Sequence, residues 1–277
     1  MLSETQRQEA SATLANAERR SEPVAPLSET FPAIDTGDAY AIQRIGIQRR
    51  MASGARVAGH KIGLTSRAMQ EQLNVAEPDY GHLLCDMFVL EGTTIPADEL
   101  CSPRVEPEVA FVLEHGLVGP GLTVADVLRA TAFVLPALEV IDSRIADWRI
   151  TLPDTVADNA SSARVVLGAS PVPVDRFDLR LIGAALWKKG KVEETGASGA
   201  VLGNPASAVC WLANKLADFE VELEAGQVVM PGACTRAVPV ESGDHVRAEF
   251  DGLGFVSVRF NGGPVVSPGT SGIRSGR

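Results

Sequence analysis

Two glutamates sit where a β-strand would bury them. Glu106 and Glu108 lie in the apolar run Arg104-Val-Glu-Pro-Glu-Val-Ala-Phe-Val-Leu113, and a third acid, Glu139, lies in a second run, Phe133-Val-Leu-Pro-Ala-Leu-Glu-Val-Ile141. Side chains alternate across a strand, so Glu106 and Glu108 share a face, where two anions repel unless a proton or a cation lies between them. A hard divalent cation is the natural counter-charge. Three carboxylates with water in the remaining positions suit the octahedral oxygen shell of Mg2+ or Mn2+. The plainer reading of the same pattern is a half-exposed sheet with its glutamates alternating outward. Pro107 has no N–H to donate to a ladder, which points to an edge or irregular strand position and tips the balance toward a site. Metal-assisted chemistry is the resulting expectation.

At 277 residues with 45% hydrophobic content, the chain is long enough to bury one large core, and nothing in its composition forces a multidomain reading. The net charge of -10, with no cluster of Lys or Arg, disfavours nucleic acid as a partner. The start, Met1-Leu-Ser-Glu-Thr-Gln-Arg-Gln-Glu-Ala10, is polar, and no apolar run approaches membrane-spanning length. A soluble, cytoplasmic protein with no membrane partner is expected. Cys85, Cys101, Cys210 and Cys234 are widely spaced, without a Cys-x-x-Cys pair, and read as reduced thiols.

Residues 4–20 are rich in Ala, Glu, Gln and Arg, and Asp38 to Arg50 carries apolar residues at helical spacing. Residues 1–57 therefore read as a helical segment packed on a β-rich core over 58–262, with Ser21 to Pro26 as a connection. Strands are expected at Val57 to Ile62, Val109 to Leu113, Val134 to Ile141, Arg164 to Leu167, Leu179 to Lys188, Gln227 to Met230, His245 to Phe250 and Phe255 to Phe260. Helices interrupt them at Thr123 to Ala130 and, capped by Asn204, at Pro205 to Leu216. The fold class that follows is α+β around a mixed or antiparallel sheet. Residues 263–277, rich in Gly, Ser and Pro, are expected to be disordered.

Lys61, in Gly59-His-Lys-Ile-Gly-Leu-Thr-Ser66, lies in an apolar, glycine-flanked strand. Burial would lower its pKa and a nearby carboxylate would restore it, so it can serve as acid, base or anion anchor; the plainer reading is a surface lysine. Asp79 in Glu77-Pro-Asp-Tyr-Gly81 has ordinary turn chemistry as its plainer reading. His60 and His82 flank these positions as possible proton carriers or structural donors. Asp142 and Arg144 suggest local ion pairs or contacts that support the site from behind, with Arg144 also able to hold a substrate carboxylate. Asp158-Asn-Ala-Ser-Ser162 reads as a pocket lining or a capped turn. The glycines of Gly196 to Gly203 fit neither dinucleotide nor P-loop spacing, so no nucleotide is assigned.

Taken together, these segments resemble the hydratase and decarboxylase family of aromatic meta-cleavage pathways, within the fumarylacetoacetate hydrolase superfamily. The resemblance runs from about Asp38 to Phe260. It is carried by Gly59 to Ser66, Glu77 to Gly81, Arg104 to Glu108, Leu135-Pro-Ala-Leu-Glu-Val-Ile-Asp-Ser-Arg144, Asp154-Thr-Val-Ala-Asp-Asn-Ala-Ser-Ser162 and Ala200-Val-Leu-Gly-Asn-Pro205. It implies that Glu106, Glu108 and Glu139 are metal ligands, that Lys61 and Asp79 are the catalytic pair, and that Ser161 and the backbone near Leu83 contact substrate. It also implies a twisted β core with peripheral helices, assembled as a cyclic homo-oligomer, a pentamer or decamer.

The activity implied is hydration of 2-hydroxypenta-2,4-dienoate, or a close 2-hydroxyalka-2,4-dienoate, to 4-hydroxy-2-oxopentanoate. The nearest alternative is decarboxylation of 4-oxalocrotonate; a hydratase for a longer dicarboxylate dienoate is a third. A different class of function, a non-catalytic subunit docking a decarboxylase or downstream aldolase, is opposed by the intact Lys61, Asp79 and three glutamates.

Overall fold

In the computed structural model, which describes residues 1–67, 70–71 and 75–262, the chain opens with helices α1 (Glu4–Arg20), α2 (Leu27–Thr30) and α3 (Thr36–Ala52). A capping box starts α1: the Gln6 N–H donates to the Ser3 hydroxyl (3.3 Å) and the Ser3 N–H to Gln6 Oε1 (2.9 Å), pairing two backbone donors at the helix start. Asp35 and Asp38 form the equivalent box at α3. The buried Asp38 carboxylate also accepts from the Leu2 N–H (2.8 Å) and from Arg7 (2.7 and 2.9 Å). One carboxylate thereby ties the chain start and α1 to α3. Leu14, Leu27 and Ile42 of these helices close over Ile145 and Val156. The tail expected to be disordered, 263–277, lies outside the described residues.

Thirteen strands follow among the described residues: β1 (Val57–Gly63), β2 (Asp79–Leu84), β3 (Phe88–Leu90), β4 (Thr94–Pro96), β5 (Pro103–Leu113), β6 (Thr131–Asp142), β7 (Ser162–Leu167), β8 (Gly183–Lys188), β9 (Lys191–Ala197), β10 (Val228–Met230), β11 (Val238–Pro239), β12 (His245–Phe250) and β13 (Gly254–Asn261). Helices α4 (Val124–Ala130), α5 (Leu152–Ala157) and α6 (Pro205–Leu216) lie between them. The larger sheet runs β2-β1-β10-β5-β6-β7-β3, with β11 also pairing β5; the smaller runs β4-β13-β12-β8-β9. Most neighbours are antiparallel, while β1–β10, β3–β7 and β4–β13 are parallel. This is the expected α+β architecture around a mixed sheet.

Strand alternation divides the larger sheet into two faces. Val105, Val109 and Phe111 of β5, with Val134, Leu138 and Val140 of β6, pack toward the smaller sheet and α6 in one large core. The intervening residues face the other way, where Ala110, Leu135, Ala137, Val165 and Met230 join Ile47 of α3. The three glutamates belong to this second face. No helix among the described residues is long and apolar enough to cross a membrane.

Several local expectations need correction. Pro107 is not on an edge strand: β5 is flanked by β6 on one side and by β10 and β11 on the other. Its carbonyl accepts from the Cys234 N–H (2.9 Å) in the gap between β10 and β11, so its nitrogen faces the same gap, where no ladder donor is required. Asp79 begins β2 instead of forming a turn. The strand expected from Leu179 starts only at Gly183. β9 was hidden by its charge; Lys191-Val-Glu-Glu-Thr is an exposed edge strand, where charged side chains discourage pairing with another chain.

Candidate active site

Glu106 and Glu139 are direct partners in the β5–β6 ladder, and Glu108 lies two residues along the same face. One oxygen from each of the three carboxylates lies within 4.8 Å of the others. Glu108 and Glu139 are almost fully buried, and Glu106 is half-buried. At an effective dielectric near 20, two carboxylates 4.8 Å apart repel by about 3 kcal/mol, so three close together demand compensation. Burial raises all three pKa values; neighbouring glutamates add to the rise at Glu106, to about 7, and at Glu108, well above its ordinary value, whereas Lys61 pulls Glu139 the other way.

The opposite charge comes from β1. Lys61 pairs with Met230 of β10 and therefore shares the carboxylate face. Its Nζ lies 3.4 Å from Glu139 Oε1 and donates to the Ala160 carbonyl at 2.9 Å. Burial works against its charge, but Glu139, Asp79, Glu106 and Glu108 outweigh that and hold the ammonium above its ordinary pKa. One ammonium cannot balance three glutamates and Asp79. Neither Glu139 oxygen has a hydrogen-bond partner among the described residues, and Glu108 Oε2 has the Gly232 N–H at 2.9 Å. Three carboxylates drawn together, with both buried Glu139 oxygens lacking a hydrogen-bond donor among the described residues, are the donor set of a hard divalent cation, so the residues fit the expected metal.

Asp79, on β2 opposite Gly63, also faces this side. It is buried; Oδ2 has only a long contact with the Thr155 hydroxyl (3.5 Å), and Oδ1 has no partner among the described residues. Burial raises its pKa, with Lys61 pulling the other way. Leu83 lies two strand positions beyond Gly81 on the same face, fully buried.

Ser161 arrives from a loop between α5 and β7. Asn159, Ala160 and Ser161 hold φ of 54°, 50° and 55°, a left-handed run of three residues with side chains, each costing about 1–2 kcal/mol. The Asn159 side chain fixes the loop to β2: its Nδ2 donates to the His82 carbonyl (2.9 Å), and its Oδ1 accepts from the His82 N–H (2.8 Å). Gly81 permits the approach, since a Cβ there would lie 2.4 Å from the Asn159 carbonyl oxygen. The buried Ser161 hydroxyl has no partner among the described residues.

Arg144 is elsewhere. Its Nε donates to Asp158 Oδ1 (2.6 Å), its N–H to Asp158 Oδ2 (3.0 Å), Nη1 to the Ser162 carbonyl (3.1 Å) and Nη2 to the Asp158 carbonyl. The substrate-carboxylate role considered for it is corrected, because the guanidinium is already engaged. The ion pair expected within 142–144 is also corrected: Asp142 accepts from the Cys101 and Ser102 N–H groups instead. His60 and His82 face each other across β1–β2, ring centres 5.0 Å apart, on the side away from Lys61. Burial lowers both pKa values, His82 to about 4.

The match to known proteins agrees with this geometry. A model of the fumarylacetoacetate (FAA) hydrolase C-terminal family matches residues 54–261, most of the chain and all of the residues just described. The chain belongs to the fumarylacetoacetate hydrolase family. Within that family it is 46% identical over 253 residues to the 2-oxo-hept-4-ene-1,7-dioate hydratase of Escherichia coli, covering 89% of this chain and 95% of that one. It is also 46% identical over 255 residues to the 2-keto-4-pentenoate hydratase of Paraburkholderia xenovorans LB400, covering 92% and 95%. The structure of 4-oxalocrotonate decarboxylase from Pseudomonas putida G7, complexed with magnesium and adipate, superposes with a TM-score of 0.90 at 38% identity, covering 94% of this chain and 99% of that one.

Asn159, Thr155, Gly232 and the Ala160 carbonyl were not singled out by sequence reasoning as individual functional groups. The Asp158 to Ser162 polar run and the resemblance carried by Asp154 to Ser162 were the signals for Asn159, Ala160 and Thr155, and neither gave these groups individual roles.

Proposed function

We propose that this chain is a metal-dependent hydro-lyase that adds water to 2-hydroxypenta-2,4-dienoate, or a close 2-hydroxyalka-2,4-dienoate, giving 4-hydroxy-2-oxopentanoate or its homologue. The observation that carries the reading is the buried Lys61 and Asp79 on neighbouring strands, on the same face as Glu106, Glu108 and Glu139. The hydratase names of the 46%-identical relatives support it.

In this reading the three glutamates hold Mg2+ or Mn2+, which when bound supplies Lewis-acid stabilisation for negative charge on the substrate's 2-oxygen. The reaction requires proton movements at fixed positions. A proton leaves the 2-hydroxyl and one arrives at C5, turning the dienol into a conjugated ketone; water oxygen then bonds to C4 while a proton goes to C3. One water is consumed and nothing is released. Lys61, held protonated by its carboxylate neighbours, and Asp79, with a raised pKa, are the groups that move these protons. Ser161 and the backbone at Leu83 contact the substrate.

A cytoplasmic homo-oligomer, pentamer or decamer, belongs to the same proposal, with product passed to a downstream aldolase. Such an assembly would cover exposed apolar side chains such as Leu90, Val118 and Leu181. A second reading, decarboxylation of 4-oxalocrotonate, is favoured by the superposition on that decarboxylase, because a cation held by Glu106, Glu108 and Glu139 would supply the same stabilisation of negative charge to the carbanion left by CO2.

Proton NMR of freshly generated 2-hydroxypenta-2,4-dienoate with enzyme and Mg2+, beside a chelated control, tests the proposal. Metal-dependent 4-hydroxy-2-oxopentanoate supports it. A dienoate that survives in both samples, with CO2 released from 4-oxalocrotonate, transfers the assignment to the decarboxylase reading.

A further inference from the structure

We infer that Arg144 is a positioning residue, which sets the active-site loop Asn159–Ala160–Ser161 from behind without touching substrate. The inference rests on the hydratase reading for what the loop does, and on geometry for how it is held. Three consecutive left-handed residues with side chains do not persist unless their surroundings fix them. Here the fixing is asymmetric. On the active-site side the loop offers the Ala160 carbonyl to Lys61, and the Ser161 hydroxyl, which has no hydrogen-bond partner among the described residues. On the other side, Asp158 just before the run and Ser162 just after it are both held by one guanidinium.

The Arg144 backbone N–H adds a further bond, to the second Asp158 oxygen, so the carboxylate receives donors at both oxygens. A planar fork can meet a carboxylate and two carbonyls at once; a lysine ammonium, a single point charge, cannot reproduce those directions. Arg144 thus pins both ends of the strained run. Asn159, the first residue of the run, is tied to β2, the strand that carries Asp79. The consequence is that the loop's register against Lys61 and Asp79 depends on a residue that reaches neither.

The test is the charge-conserving variant Arg144→Lys, with Ser161→Ala and the double variant, in the full-length protein. Arg144→Lys keeps a cation beside Asp158 and so preserves the fold where removal of the charge would endanger it. Amide hydrogen exchange is expected to quicken at least tenfold over residues 159–162 and to stay unchanged in β5. Mn2+ affinity, read by titration, should remain within threefold of wild type, because the glutamates lie on β5 and β6. Hydratase kcat/KM should fall at least thirtyfold, and the double variant should be no worse than the poorer single variant within threefold. Unchanged exchange at 159–162 overturns the inference, and so does a parallel loss of Mn2+ affinity, which would make Arg144 a general support of the sheet. Losses that multiply between Arg144→Lys and Ser161→Ala also overturn it. Failure of the hydratase reading would appear as a wild type without turnover, and the exchange measurement then decides the loop inference by itself.

Discussion

Glu106 and Glu139 face each other directly across the β5–β6 ladder, two carboxylates in the one register position where like charges are most costly. With Glu108 beside them, the arrangement makes sense only with compensating positive charge. Replacing Glu106 or Glu139 by Gln removes a ligand while relieving the repulsion. Metal affinity is therefore expected to fall at least a hundredfold in either variant, while the metal-free protein becomes more stable. Calorimetric titration with Mn2+ and thermal unfolding in chelator check the two halves. Unchanged affinity would sink the metal assignment.

The pH dependence of stability follows from the same cluster. Burial and Glu139 raise Glu106 from an ordinary value of 4.5 to about 7. Between those values the folded, metal-free protein binds more protons than the unfolded chain, so stability falls as pH rises. The contribution of Glu106 is fully present below about 4.5 and lost above about 7, roughly 3 kcal/mol in all. Thermal unfolding in chelator should show a lower midpoint at pH 8 than at pH 6, with a shallower slope for Glu106→Gln. Mg2+ should raise the midpoint more at pH 8, where it does not compete with protons.

Lys61 has two expected roles that a single variant separates. Lys61→Met removes a proton carrier, and kcat should fall by about two to four orders of magnitude. It also removes the cation 3.4 Å from Glu139, so the metal-free protein should lose stability while metal affinity holds or rises. Turnover, unfolding in chelator and Mn2+ titration together check this. Substantial residual turnover would assign the proton movements to Asp79 alone.

How legible the site was depended on which atoms do the work. The β5 and β6 strands and the shared face of Glu106 and Glu108 were legible from alternation, because a carboxylate in an apolar run is visible as a breach of pattern; the register that puts Glu139 opposite Glu106 was not. Asp79 was harder, since Pro78 before it and Gly81 after it mimic a turn, and β2 exists only because β1 pairs with it. The loop was legible only as a polar run, and not in what its atoms do: Ala160 contributes a carbonyl, and Asn159 acts on the His82 backbone 77 residues away. Arg144 was noticed for its charge, but its partner could not be named, because the chain reversal that brings Asp158 to the guanidinium is not visible in the local sequence.

Gly232 shows the same dependence on backbone. Its φ of +127° is conformational space open essentially to glycine, and a Cβ there would lie 2.1 Å from Thr65 Oγ1. Its N–H donates to Glu108 Oε2, so a shift of this residue reaches a proposed metal ligand directly. Gly232→Ala is expected to cost roughly 2 kcal/mol or more in stability and to weaken metal binding about tenfold. Trimming the obstacle in Gly232→Ala/Thr65→Ser should recover little, because the hydroxyl that clashes is retained. Gly232→Ala/Thr65→Ala should recover part of both losses, because the hydroxyl is gone while the unfavourable φ remains. Urea unfolding and Mn2+ titration of these variants distinguish the steric part from the backbone part. A Gly232→Ala protein that binds Mn2+ like wild type would show that Glu108 does not depend on this N–H for its orientation.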